Sequence, residues 1–462
     1  MLPFVGPSYQ LATRKASVQR SVNLFLVGME TPSKAPFILQ SVPGLVQFAA
    51  MGAAVRGMFE AAGRCFVVAG NTLYELNSAG VKTARGVLSS SSGPVDFAWG
   101  RTQLVVVDGA NGYVLTLATN AFGAITDADW LGSDRVAYLD GYFIFAQPGS
   151  DVFYISAIDD ATNLDSLDFA RAEASPDTIV SHAVNHREVW FVGEKTTEVW
   201  FDSGAADFPL SRNSAAMLDV GCVATHSLRQ VDNALIWIGR DANGSGLVYR
   251  SMGYQAARIS TLAVEQALQA STDLSSAVAY VYQSNGQTFW CVNAPGITST
   301  WCYEIASQAW HERCDLDALG QFAVHRANYH AFAFGYHLVG CDSGVVYRMD
   351  PTFNLFGEDP IKRSRISPND VSPSRDRIYF RRFTLDCVTG GAGSSITSVP
   401  AELSWSDNGG MTWGNPVSRS IGLTGEYLPR VEWTQLGCGR DRVWRVDCSA
   451  NAPFSIIEGM AE

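Results

Sequence analysis

The segment with the most recognisable chemical spacing is Ser406-Asp407-Asn408-Gly409-Gly410-Met411-Thr412-Trp413. It follows the Asp-box pattern S-x-D-x-G-x-T-W, with Asn408 where aspartate is usual. Such boxes recur blade by blade in sialidases, so one reading is a carbohydrate-active propeller enzyme. The pattern itself asks only for a hairpin. A side-chain oxygen accepts hydrogen bonds from turn amides, glycine supplies the bend, and the tryptophan packs beneath. With a single box in the chain, Ser406, Asn408, Gly410 and Trp413 are expected to build a structural turn. The sialidase-like enzyme stands as the alternative.

Other constellations fall short of a site. Asp241-Ala242-Asn243-Gly244-Ser245-Gly246 opens like a calcium loop, but Met252 occupies the position of the bidentate glutamate. Gly390-Gly391-Ala392-Gly393-Ser394-Ser395 has the glycines of a phosphate loop and no lysine after them. Cys291, Cys302 and Cys314, near His311, match no zinc spacing and are expected as buried thiols. His182 with His186, and His325 with His330, lack an orienting carboxylate at a telling spacing. Asp127 with Asp129, and Asp159 with Asp160, are expected in solvated loops, although glycoside hydrolysis does use a carboxylate pair. Lys362, Arg363 and Arg365, with Arg381 and Arg382, could meet DNA phosphates. At a net charge of −12, pairing with acidic surface on a neighbouring subunit is the stronger expectation. No catalytic residue, cofactor or metal is therefore expected. The nine cysteines, scattered without a CxxC spacing, imply reduced thiols and no disulfide.

The elements that must carry these residues are strands. The chain has 462 residues, 47% apolar and 17% charged, with 12 Trp, 16 Tyr, 24 Phe and 42 Gly. That balance gives a large core and favours strands and turns over helices. The run 1–7 has no charged start followed by an apolar run, so no signal peptide is expected, and no stretch is apolar enough to span a bilayer. Pairs of short β-rich segments recur: 65–68 with 72–76, 104–107 with 113–117, 142–145 with 152–155, and 189–192 with 198–201. The pairs 235–238 with 247–250, 289–292 with 301–304, and 337–340 with 345–348 complete the series. Their loops hold Gly and Asn, as tight hairpins require. A period of roughly 40–50 residues is that of a four-stranded propeller blade.

The expected fold is all-β: a propeller of six or seven blades over 55–355, a linker over 356–376 and a β-sandwich over 377–462. Residues 1–54 lack the repeat and read as an extended N-terminal arm that packs on something else, with Arg14, Lys15 and Arg20 suited to an acidic neighbour. Deleting residues 1–25 is expected to leave the propeller folded. Residues 262–269 read as a helix inserted between blades.

Several short runs, in order along the chain, resemble the tail-hub, or packaged-DNA-stabilisation, family of short-tailed bacteriophages. They are Pro3-Phe4-Val5-Gly6-Pro7-Ser8-Tyr9, Gln19-Arg20-Ser21-Val22-Asn23-Leu24, Pro43-Gly44-Leu45 and Val55-Arg56-Gly57. Further on come Ala174-Ser175-Pro176-Asp177, Thr197-Glu198-Val199-Trp200-Phe201, the 406–413 run and Gly439-Arg440-Asp441-Arg442-Val443. The resemblance implies a structural virion protein with no enzymatic activity, assembled in the host cytoplasm as a homohexameric ring in the tail. It implies a place below portal and adaptor proteins, contacts with tail fibre, spike or needle proteins, and transient, non-specific contact with the DNA it retains and conducts. An acidic lumen would let that DNA slide.

Overall fold

The structure is a computed structural model describing residues 4–173, 175–241, 244–372, 374–391, 396, 398–427 and 429–462. The repeats fold as antiparallel sheets. In blade one, Val55–Ala61, Arg64–Ala69, Thr72–Leu76 and Lys82–Val87 pair in sequence order. Cys65, Phe66, Val67 and Val68 of the second strand are all buried, because neighbouring blades cover both faces of the sheet. Lys82, Thr83 and Ala84 on the outermost strand face solvent. Four-stranded units recur over 96–124, 136–171 and 179–218. The fifth blade splits its innermost position between Gly221–Cys222 and Arg229–Val231, and the sixth covers 278–316. The expected helix forms as Leu262–Gln269, between blades five and six, burying Ala263, Val264 and Leu268.

The seventh blade takes three strands from its own region: Ala327–Ala333, Tyr336–Cys341 and Val345–Asp350. Its fourth is Gly44–Ala50, antiparallel to the third, with Ala50 opposite Val345 and Gly44 opposite Asp350. The blades therefore number seven, and a strand from the N-terminal region latches the ring. Gly44 is required at that latch, since a Cβ there would lie 2.2 Å from the Phe353 carbonyl oxygen.

The C-terminal region is a two-sheet sandwich. One sheet runs through Arg363–Ile366, Asp441–Cys448, Pro400–Ser406 and Val417–Ser420. The other runs through Ser455–Ala461, Arg382–Cys387 and Val431–Thr434. Phe383, Leu385, Trp433, Trp444, Val446 and Phe454 meet between them.

The N-terminal residues are extended, and the surface they bury against is the chain's own. Val18–Val22 lies between blade six, parallel with Val22 opposite Glu312, and Arg363–Ile366 of the sandwich, antiparallel. Leu24–Gly28 and Phe37–Ser41 extend the second sandwich sheet. Phe4, Leu24 and Leu39 are buried in the sandwich core.

The basic run is corrected in the same way. Arg363 and Arg365 are fully buried, so they meet neither DNA nor an acidic neighbouring surface. Arg365 donates to the carbonyls of Phe4 (2.6 Å) and Pro7 (3.0 Å). Arg363 donates to Ser41 Oγ (2.7 Å), the Ala450 carbonyl (3.0 Å) and Asn354 Oδ1 (3.0 Å). Carbonyl and hydroxyl oxygens replace carboxylates as partners, and burial pulls Arg365 down to about 9. Arg382, nearer the surface, pairs with Glu462 at 2.6 Å in its own chain.

Candidate functional site: the axial channel and the joint between the domains

Innermost strands of all seven blades surround a channel along the propeller axis. One cavity of about 430 Å³ is lined by Asp96, Arg135, His182, Arg229, Tyr329 and His330, among others. A second, of about 650 Å³, is lined by residues including Arg56, Asn293, His325, Arg326 and Asp342. Arg56, of the run Val55-Arg56-Gly57, holds the loop before blade two at this mouth. It donates to the carbonyls of Gly70 (2.9 Å), Ser90 (2.9 Å), Ser92 (2.7 Å) and Gly93 (2.6 Å).

His182 is buried, with Nε2 3.2 Å from the Ile144 carbonyl oxygen. Burial, reinforced by nearby Arg135, pulls it from 6.5 down to about 4. Between those values the unfolded chain binds a proton that the folded chain does not. This contribution to stability therefore rises with pH across the window and is lost as pH falls from 6.5 towards 4. Thermal melts should show this: lowering the pH from about 7 to about 4.5 must lower the melting temperature less for His182→Gln than for the natural chain. Equal slopes would contradict the assignment.

The joint between the domains uses several of the runs that carry the family resemblance. Arg20 donates to Glu312 of blade six, with Nε to Oε1 at 2.9 Å and a second contact from Nη2 to Oε2. Ser299 Oγ also donates to Glu312, at 2.7 Å. Asn23 Nδ2 donates to the carbonyls of Cys314 and Lys362, both at 2.9 Å, so one side chain joins the blade to the strand that enters the sandwich. In the sandwich, Arg442 is buried against Phe380, Trp405 and Trp444, whose ring centroids lie 4.7, 5.5 and 5.2 Å from its guanidinium carbon. It makes a two-pronged pair with Asp407, at 2.6 and 2.8 Å. A Cβ on Gly439 would lie 2.3 Å from Asp407 Oδ1, so this glycine makes room for the pair.

The 406–413 run forms the hairpin that its spacing asks for. Asn408 Oδ1 accepts from the amides of Met411 (3.1 Å) and Thr412 (3.0 Å) and from Ser406 Oγ (2.8 Å). The Gly410 amide donates to Ser406 Oγ at 2.9 Å, and Gly410 packs on Val18 of the N-terminal region. Trp413 is half-buried under Arg445, whose guanidinium carbon is 4.5 Å from the ring centroid. Asn408→Ala should cost about 1–2 kcal/mol through its unpaired amides. Trp413→Ala should cost a similar amount, less than the ~3–5 kcal/mol of a fully buried indole. Urea unfolding monitored in the sandwich checks both.

The remaining candidates are dispersed. Asp127 accepts from the amides of Asp129 (3.0 Å) and Leu164 (3.2 Å), and Asp160 from the amide of Thr162 (3.0 Å), so these carboxylates order loops. Asp177 does the same for the amides of Glu194, Lys195 and Thr196, at 3.0, 2.8 and 2.7 Å. His186 sits in a hairpin turn with φ at 52°. His325 does have a carboxylate, Asp315, at 3.0 Å from Nδ1. The signal was the hairpin that sets Asp315 opposite Ala323, two residues before the histidine. Cys291 and Cys302 face each other across adjacent strands, and the cysteines of the chain are free thiols. Among the described residues no three His, Cys, Asp or Glu side chains gather as a metal site. Ala242 and Asn243 of the calcium-like loop, Ala392 to Ser395 of the glycine-rich loop, and Pro3 and Ala174 of the resemblance lie outside the described residues.

A family model for bacteriophage P22 Gp10, beta-propeller, matches residues 16–354, and one for bacteriophage P22 Gp10, beta-sandwich, matches residues 371–462. The chain belongs to the bacteriophage P22 Gp10 family. As a member of that family it is a phage structural protein made of a propeller and a sandwich. A search of curated proteins finds no significant match. Solved structures that resemble it include the WD40 beta propeller domain of Doa1, at 11% identity and a TM-score of 0.42, covering 67% of this chain and 96% of that one. YCF48 bound to D1 peptide matches at 13% identity and a TM-score of 0.40, covering 67% and 98%. The extracellular domain of the putative hybrid two component system BT4673 from B. thetaiotaomicron matches at 9% identity and a TM-score of 0.47, covering 76% of this chain and 45% of that one.

Proposed function

We propose that this member of the P22 Gp10 family is a tail hub or nozzle subunit, forming a ring below the portal and adaptor that retains and conducts the packaged DNA. The observation that carries the reading is the match of both its parts, propeller and sandwich, to the phage family. The interior is consistent with it. The runs that resemble the family hold the N-terminal strand to blade six, as in Arg20 with Glu312, brace the sandwich, as in Arg442 with Asp407, and supply loops with their caps, as Asp177 does. Such residues make a rigid building block, and its work is then done by surfaces. A net charge of −12 gives DNA phosphate no general hold, so a duplex threaded through a ring of these subunits can slide. The ring is a homohexamer, with portal or adaptor proteins on one side and a fibre, spike or needle on the other. The test is a phage in which the gene for this chain is disrupted. Heads should fill and then lose their DNA, and the protein supplied in trans should restore retention and infectivity. Particles that keep their DNA and infect without it would overturn the reading.

A further inference from the structure

We infer that the axial channel of the propeller is a binding site for a small oxyanion, a carboxylate or a phosphate, held by Arg229 with Arg135 behind it. Two guanidinium groups, one from blade three and one from blade five, converge there on a single carboxylate, Asp96 of blade two. Arg135 Nε lies 3.0 Å from Asp96 Oδ2, and the side chain is fixed from behind by the carbonyls of Thr225 (3.3 Å) and Leu228 (3.4 Å). Asp96 Oδ2 accepts a hydrogen bond from the Val136 amide at 3.1 Å. Arg229 Nη1 stands 3.8 Å from Asp96 Oδ1, within ion-pair range but beyond a hydrogen bond. Among the described residues its guanidinium donates one hydrogen bond, from Nε to the Ala279 carbonyl at 2.7 Å. The Nη donors of Arg229 are thus left for an occupant of the cavity it lines.

The charges facing this space do not cancel. His182 and His330 also line it, and burial holds them down to about 4 and about 3, so both are neutral near pH 7. Gln230 and Tyr329 carry no charge there. Two arginines against one aspartate leave one positive charge in excess. Walls of packed strands screen that charge less than open water would, so it attracts an anion more strongly than a surface arginine does. A volume of about 430 Å³ accommodates a small anion with its water, or the carboxylate end of one inserted side chain.

Calorimetric titration of the full chain with inorganic phosphate and, separately, acetate tests this in a chloride-poor buffer. At least one probe should bind. Preference for phosphate points to a free ion, and preference for acetate to an Asp or Glu side chain of a partner. Arg229→Gln should weaken binding about tenfold or more, the effect of removing a charged hydrogen-bond donor. Asp96→Asn removes the competing negative charge and should tighten it. Opposite shifts in the two variants cannot come from general loosening of the fold. Failure of both probes to bind the natural chain would overturn the inference, as would unchanged affinity in both variants.

Discussion

A chain lacking residues 1–25 should lose its folded sandwich and the seam to blade six. Phe4, Val18, Val22 and Leu24 are buried at 5% exposure or less. Each is worth ~1.5–3 kcal/mol, and together they rival the ~5–15 kcal/mol of a typical domain. The deletion also strips Arg365 of the Phe4 and Pro7 carbonyls and leaves Glu312 without Arg20. Unmet buried charges add to the loss. The latch strand Gly44–Ala50 remains, so the propeller keeps the means to close. The expected result is loss of the sandwich's cooperative transition in thermal melts followed by near-ultraviolet circular dichroism. A truncated chain with the melting profile of the full one would show that the N-terminal strands are accessories. The initial expectation, an extended arm that packs on a neighbour, is revised because the arm's apolar residues are already covered by the chain itself.

The second large effect is expected at Arg20. Its partner Glu312 is 3% exposed. Burial alone pushes the Glu312 carboxyl up, but the Arg20 guanidinium and the Ser299 and Ser8 hydroxyls outweigh it and hold it below the usual range. Arg20→Ala leaves that charge buried and unpaired, which should cost about 3–5 kcal/mol. Arg20→Met combined with Glu312→Leu removes both charges and should recover most of the loss. The sign of the pH effect follows. A carboxyl depressed in the folded state contributes stability that is fully present above its ordinary value and lost as pH falls through the lower, folded one. Urea unfolding of the single and double variants decides it. A double variant no more stable than Arg20→Ala would assign the loss to packing instead of charge.

How much of this was legible in the sequence depended on distance along the chain. The hairpins declared themselves through turn residues a few positions apart, such as Ala69-Gly70-Asn71, where Gly70 takes φ of 56°. The helix at Leu262–Gln269 was equally local. The N-terminal strands were not, because their partners lie some 300 residues away: Val22 opposite Glu312, and Ala50 opposite Val345. An amphipathic segment announces that it needs a surface and says nothing of which one. Arg363 and Arg365 misled for a different reason. A basic run between Pro and Ser residues reads as solvated linker, and only the fold brings enough carbonyl oxygens around the guanidinium groups to bury them. The channel charges were likewise invisible, since Asp96, Arg135 and Arg229 come from three blades.

The central claim, a ring-forming tail subunit, is tested most directly by cryo-electron microscopy of the assembled particle. The account predicts density for this propeller and sandwich in six copies around the tail axis, below the portal and adaptor, with DNA on the axis and the N-terminal strands folded back into each subunit. A particle in which this chain is absent from the tail, or present as isolated copies away from the DNA path, would contradict it.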